Sequence, residues 1–201
     1  WGQKVTLDPL LPLDFLDQLH ADPTRFVTRS VANHLNDLAR PHPGEMMDRL
    51  QHWQVLGKQQ QKELDWLSKH ALRNLIKQGD TRAMGLLGYR ADAPLSARLT
   101  LSPDPVQIND ALTVSAEISC AESLPVLVDY VLHFHRPDGK LGRKVFKLKQ
   151  TRVDKGKPLL VQKKHRLKGG ASTFTLHPGP HRVELQVNGR VLAEAGFELT
   201  T

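Results

Sequence analysis

Cysteine is nearly absent. Cys120 stands alone, so the chain can form no intramolecular disulfide and no cysteine-based zinc site. This usage favours a reducing compartment, and a cytoplasmic location is the expectation. No apolar run approaches the roughly 20 residues needed to span a bilayer, and no signal-peptide pattern opens the chain, so no membrane partner is expected. There is no Walker loop, no GxGxxG and no GxSxG. None of the ten histidines stands in an HExxH or comparable metal spacing, and His133 with His135 on one strand face is only a faint metal signal. Neither a cofactor nor a metal is therefore expected. An initiating methionine is missing too: Trp1 comes first, and we read the chain as an N-terminally truncated fragment of a longer protein.

Acidic side chains are in deficit. The 201 residues carry 28 Lys and Arg against 21 Asp and Glu, a net charge of +7. The excess is uneven. Residues 1–95 hold 12 basic and 11 acidic side chains, whereas residues 96–201 hold 16 and 10. Between Arg136 and Lys168 there are 13 basic residues and only Asp138 and Asp154 to oppose them. Such a concentration points to nucleic acid or an anionic surface, with a merely soluble basic face as the plain alternative. Phe146 is the only aromatic within it. That scarcity argues against a platform for stacking bases and for contact with the backbone phosphates of a duplex.

What is present is a repeat. Phe26 to Asp37 (FVTRSVANHLND) recurs as Trp66 to Lys77 (WLSKHALRNLIK), with Phe26 on Trp66, Val27 on Leu67, Arg29 on Lys69, Val31 on Ala71, Asn33 on Arg73 and Leu35 on Leu75. A period of about forty residues holding two helical segments each marks a HEAT-like α-solenoid. At helical spacing Val27, Val31, Leu35 and Leu38 make one apolar stripe. Arg29, Asn33, Asn36, Asp37 and Arg40 make the opposite one, continued in the second copy by Lys69, Arg73 and Lys77.

Taken in order, the sequence predicts a short helix at 13–19. A second starts from an Asp22 cap with Pro23 at its first position and is stopped by Pro41 and Pro43. A third spans 45–56, a fourth spans 61–78 and ends at Gly79, and a last short one is capped by Asp80. After a linker the period changes to two. Strands are predicted near 97–101, 111–119, 126–135, 144–151, 159–166, 182–187 and 191–199, with hairpin turns at Asp138-Gly139 and Asn188-Gly189. The expected organisation is therefore multidomain α + β. Residues 1–90 hold HEAT-like helical repeats, 91–97 the linker and 98–201 an all-β immunoglobulin-like sandwich without the antibody cysteine pair.

Asp37 is the lone acid in the cationic stripe, placed in the last turn of its helix, where the helix dipole disfavours a carboxylate. A salt bridge to Arg40, Arg29 or Arg73 would be its ordinary structural explanation. Arg29, Lys69, Arg73 and Lys77 suit an anionic ligand along a solenoid face, or are simply a solvated surface. His70 could donate to a phosphate, though an interhelical partner is the plainer reading. Trp53 reads as core, and Trp66 could pack or stack, with packing the plainer reading.

The segments VTRSVANHLNDLARPHP and WLSKHALRNLIKQGDTRAMGLLGY resemble the AlkC-type DNA alkylation repair glycosylases, in which HEAT-like repeats are followed by an immunoglobulin-like domain. The match is strong over residues 22–89, and the β-domain agrees in architecture and position. This resemblance implies hydrolysis of the N-glycosidic bond of cationic alkylated bases such as 3-methyladenine in double-stranded DNA. Asp37, in NHLND, matches the family's aspartate, which stabilises the oxocarbenium-like transition state and positions water. Arg29, Ser30, Asn33, Lys69, His70, Arg73 and Lys77 are then expected to bind DNA. Lys144, Lys163, Lys164 and Arg166 extend that surface on the sandwich. Trp1-Gly2 resembles the end of a family motif whose glutamate lies upstream of this sequence, so Trp1 is expected to contact the lesion. A monomer is expected. The alternatives are a non-catalytic module binding the DNA or RNA backbone, and a protein-binding scaffold.

Overall fold

In the computed structural model, residues 8–135, 140–171 and 174–201 are described. The chain divides into two compact units, Trp1–Leu87 and Gly88–Thr201. Trp1 and the expected Asp138-Gly139 turn lie outside the described residues.

The first unit is helical: α1 (Leu13–Leu19), α2 (Arg25–Leu38), α3 (Pro43–Leu56), α4 (Gln61–Ala71), α5 (Arg73–Gln78) and α6 (Thr81–Leu86). The α2 start differs from expectation. Asp22 Oδ1 accepts hydrogen bonds from the Thr24 N–H at 2.7 Å and the Thr24 hydroxyl at 2.5 Å. That local turn moves the N-cap to Thr24 and uses up its hydroxyl, so α2 has no side-chain cap. Pro43 proves to be a starter rather than a stop: it opens α3 at a position where a missing N–H costs nothing. The expected fourth helix is two, because the chain turns at the fully buried Leu72 (φ −79°, ψ 0°). Arg73 Nη1 donates to the His70 carbonyl at 2.6 Å, satisfying one of the groups left over where α4 ends. Gly57 and Gly79 take the left-handed conformation (φ 61° and 81°), and Asp80 caps α6 by accepting the Ala83 N–H at 2.8 Å.

Val31, Leu35 and Leu38 are buried in this unit's core with Met46, Leu50, Trp53, Leu64, Leu67 and Met84. The buried arc of α2 is wider than one stripe because α2 packs against α1, α3 and α4. It takes in Thr28 and also Asn36, which was expected on the polar face and is 5% exposed. Among the described residues no helix is long and apolar enough to cross a membrane.

The second unit has two sheets. β1 (Leu95–Ser102), β3 (Ala111–Cys120) and β6 (Leu159–Arg166) form one in the order β1-β3-β6. β2 (Val106–Gln107), β4 (Leu124–His135), β5 (Leu141–Val153), β9 (Gly179–Val187) and β10 (Arg190–Thr200) form the other in the order β2-β10-β9-β4-β5. A small ribbon pairs β7 (Gly170–Ala171) with β8 (Phe174–Thr175). Between the sheets lie Ile118, Val126, Val128, Val161 and Leu185 in one apolar cluster and Val114, Tyr130, Leu132, Phe134 and Phe197 in a second. The chain changes sheet early: β1 runs antiparallel to β3, and after a turn β2 runs parallel to β10.

Asn188 adopts φ 48° and Gly189 φ 84° in the β9–β10 turn, as a primed hairpin turn requires. The Asn188 side chain is fully buried; its Oδ1 accepts the Leu127 N–H at 2.9 Å and its Nδ2 donates to the Arg90 and Pro125 carbonyls. The turn asparagine thus also closes the neighbouring loops.

Candidate nucleic-acid interface

On α2, residues 25, 29, 33 and 37 follow one another at one-turn spacing; on α4, residues 63, 66 and 70 do the same. These faces meet. Arg25 Nε and Nη2 donate to Glu63 Oε1 and Oε2 at 2.8 and 2.5 Å, and the Thr28 hydroxyl donates to Glu63 Oε1 at 2.6 Å. These bonds, Arg25's first, hold the Glu63 carboxyl below the usual carboxylate range. The Arg25 guanidinium lies 3.7 Å over the Trp66 ring, which stacks on His70 at 4.9 Å. His70 Nε2 in turn lies 2.9 Å from Asn33 Oδ1. Burial, then Arg73, Arg29 and Arg25, push the His70 pKa down. The three guanidinium groups therefore share one neighbourhood with the His70 imidazole.

Asp37 lies one turn beyond Asn33 and is exposed. Among the described residues it makes no ion pair; the salt bridges to Arg29, Arg40 or Arg73 that would explain it structurally are not formed. Ser30 is exposed but bonds back to the Phe26 carbonyl at 3.1 Å, as helix-surface serines do. Lys69 is exposed on α4 and Lys77 on α5. The break at Leu72 puts them on different helices, so the expected Lys69–Arg73–Lys77 stripe is not one helical face.

Arg25, Thr28 and Glu63 were not among the expected site residues, and Trp66 was expected to pack or stack, with packing the plainer reading. Opposite charges in the first turns of the two copies were the available signal. Trp53, by contrast, is core as expected. Its ring stacks on His20 at 4.5 Å and its Nε1 donates to Asp17 at 2.7 Å.

In the second unit the strand cations between residues 141 and 166 occupy two edges, since β5 and β6 are the outer strands of different sheets. Lys163 Nζ joins them by donating to the Lys147 carbonyl at 2.7 Å. Lys144, Lys163, Lys164 and Arg166, expected to extend one DNA-binding surface, do not share one face, because successive strand residues face opposite ways. Lys163 reaches over the Tyr130 ring at 5.9 Å, while Lys164, opposite Thr113, takes the other face. Arg166 and Arg152 donate to the Asn109 and Ser123 carbonyls at 3.3 and 3.1 Å, and Lys144 pairs with Leu132 on the sheet. The Tyr130 hydroxyl, its pKa pushed up to about 12 by burial, shares a hydrogen bond with His165 Nδ1 at 2.7 Å. His133 Nε2 lies 2.9 Å from Glu184, and no cluster of three metal-ligating side chains occurs among the described residues.

These environments set a pH dependence. Burial, ahead of any neighbouring charge, lowers the pKa of His20, His70, His165 and His181. The unfolded chain binds those protons from about pH 6.5 downward, before the folded chain does. Folding is therefore expected to weaken as the pH falls from 7 towards 5, above the range in which carboxylates titrate. Urea midpoints measured across that window check it, and a flat or rising profile would contradict it.

Three comparisons with known proteins bear on the chain. It is 30% identical to the uncharacterised protein YhaZ of Bacillus subtilis (strain 168) over 203 residues, covering 99% of this chain and 56% of that protein. The alkylpurine DNA glycosylase AlkC of Pseudomonas fluorescens, solved bound to DNA containing an abasic-site analogue, superposes at a TM-score of 0.88. That structure is 32% identical over 96% of this chain and 54% of its own. The chain thus spans about half the length of both relatives. A β-glucosidase from Listeria innocua, at 12% identity and a TM-score of 0.45, carries no argument. Residues 96–201, more than half of the chain, match the family described as the C-terminal Ig-like domain of the uncharacterised protein YhaZ, and to that family the chain belongs.

Proposed function

We propose that this chain is part of a DNA glycosylase that hydrolyses the N-glycosidic bond of cationic alkylated bases such as 3-methyladenine. The likeness to the alkylpurine glycosylase over 96% of the chain carries the reading. The helical unit is taken as the end of a HEAT-like repeat array, with the α2–α4 seam facing DNA. Arg29, Asn33, Lys69 and Arg73 contact the backbone there, and the β5 and β6 edges give a second basic surface.

The chemistry suits an exposed carboxylate. An alkylated purine already carries positive charge, so when the C1′–N9 bond breaks the electron pair leaves with the base and neutralises it. No strong general acid is needed. The deoxyribose is left with oxocarbenium character, which the Asp37 carboxylate stabilises. A water oxygen then bonds to C1′ and passes a proton to the carboxylate or to solvent. Asp37 is free of ion pairs among the described residues, so its charge is available for this.

The partner is tested by salt. Neutralising about six phosphates gives duplex binding a log–log salt slope near −5, whereas a slope near zero would favour a protein scaffold. Reversing charge at Lys163 and Lys164 together should weaken binding to damaged and undamaged duplex alike. A loss confined to damaged DNA would remove these lysines from the backbone-contact role.

A further inference from the structure

An exposed asparagine on a helix ordinarily samples several rotamers, and ordering it for a ligand costs entropy. Asn33 is not free in this way. His70 Nε2 holds its Oδ1 at 2.9 Å. The imidazole is held in turn by Trp66, its ring inclined only 11° to the indole, and Trp66 carries Arg25 at 3.7 Å. Arg25 is clamped by both oxygens of Glu63, which also accepts the hydroxyl of the fully buried Thr28. This ladder of contacts between two helices ends at Asn33, one turn before Asp37.

The direction of the last bond follows from the atoms that meet, because an amide oxygen can only accept. Burial, then three neighbouring arginines, lowers the His70 pKa and so favours the neutral ring, which has a single N–H. With that proton on Nε2 it donates to Asn33 Oδ1, and the Asn33 NH2 group is left with two donors. Among the described residues those donors have no other partner.

We propose that His70 is a positioning residue that fixes the Asn33 amide so that its NH2 group donates to a backbone phosphate beside Asp37. The proposal rests on the DNA-binding reading above. Arg29 and Arg73 supply attraction at the same place, and the amide supplies direction. Because Glu63, Arg25, Trp66 and His70 fix the amide before DNA arrives, less ordering cost is left for binding. His70 thus acts through Asn33 and not by its own contact with phosphate.

A double-mutant cycle tests this, using the longest chain that carries this sequence and a duplex containing an abasic-site analogue. Asn33→Ala and His70→Leu should each weaken binding about tenfold. The double variant should be no weaker than Asn33→Ala alone. His70→Gln, whose amide returns a donor near the former Nε2, should recover most of the affinity. Additive losses, an unchanged His70→Leu, or a His70→Gln as weak as His70→Leu would each overturn the proposal. Melting midpoints taken on every variant separate unfolding from lost positioning. Failure of the glycosylase reading shows separately, as wild-type binding without base release; wild-type chain that does not bind duplex sinks both.

Discussion

Asp37→Asn should lower the rate of 3-methyladenine release from methylated duplex by about 10²–10³-fold while leaving duplex affinity unchanged or slightly tighter. The substitution preserves shape and removes the charge. Asp37 is exposed, makes no ion pair among the described residues, and sits near the C-terminal end of α2, where the helix dipole opposes an anion. Its neutralisation should therefore not destabilise the fold, and a small gain in stability is expected. The loss should fall on the chemical step, because an asparagine cannot stabilise positive charge at C1′ as a carboxylate does. Single-turnover release, with binding measured in parallel, makes the separation. Full excision by Asp37→Asn would assign the carboxylate role to another residue.

The largest expected effect on stability lies at Trp53. It is fully buried, stacks on His20, and donates to Asp17, whose other oxygen holds Arg49 at 2.5 Å. Trp53→Ala removes the biggest side chain of the helical core and one partner of that polar group, a loss of about 3–5 kcal/mol. Against a total of about 5–15 kcal/mol for a domain, this leaves the helical unit marginal. Trp53→Phe keeps most of the apolar volume and loses the indole hydrogen bond, so a smaller cost of about 1–2 kcal/mol is expected. Denaturant midpoints followed by helical circular dichroism check the order of the two. A Trp53→Ala variant within about 1 kcal/mol of wild type would contradict the account of this core.

Much of this was legible because the signals were local. The spacing of Val31, Leu35 and Leu38 marks the buried face of α2. Gly57 and Gly79 mark helix ends through left-handed backbone, Asp80 a helix start, and Asn188-Gly189 a hairpin. What was not legible depends on neighbours distant in sequence. Asn36 is buried because three helices surround α2, which its own periodicity does not reveal. Leu72 breaks a regular helical pattern at a position with no glycine or proline. The Arg25–Glu63 pair joins residues 38 apart, and the stacking of Trp66 on His70 has meaning only once α2 lies alongside α4. The parallel pairing of the two-residue β2 with β10 is likewise too short to leave a pattern. The candidate site follows the same division: Asp37 stood out by its charge, whereas the ladder that ends at Asn33 needed coordinates.

The central claim is that a chain of this kind releases cationic bases from DNA, and release itself is the direct measurement. Methylated duplex should be incubated with the longest chain that carries this sequence, and the free bases separated from the polymer. The account predicts free 3-methyladenine together with matching abasic sites in the DNA. Salt-sensitive binding of the same duplex with no free base released would contradict it, and would make the protein a backbone-binding relative in which Asp37 has no chemical role.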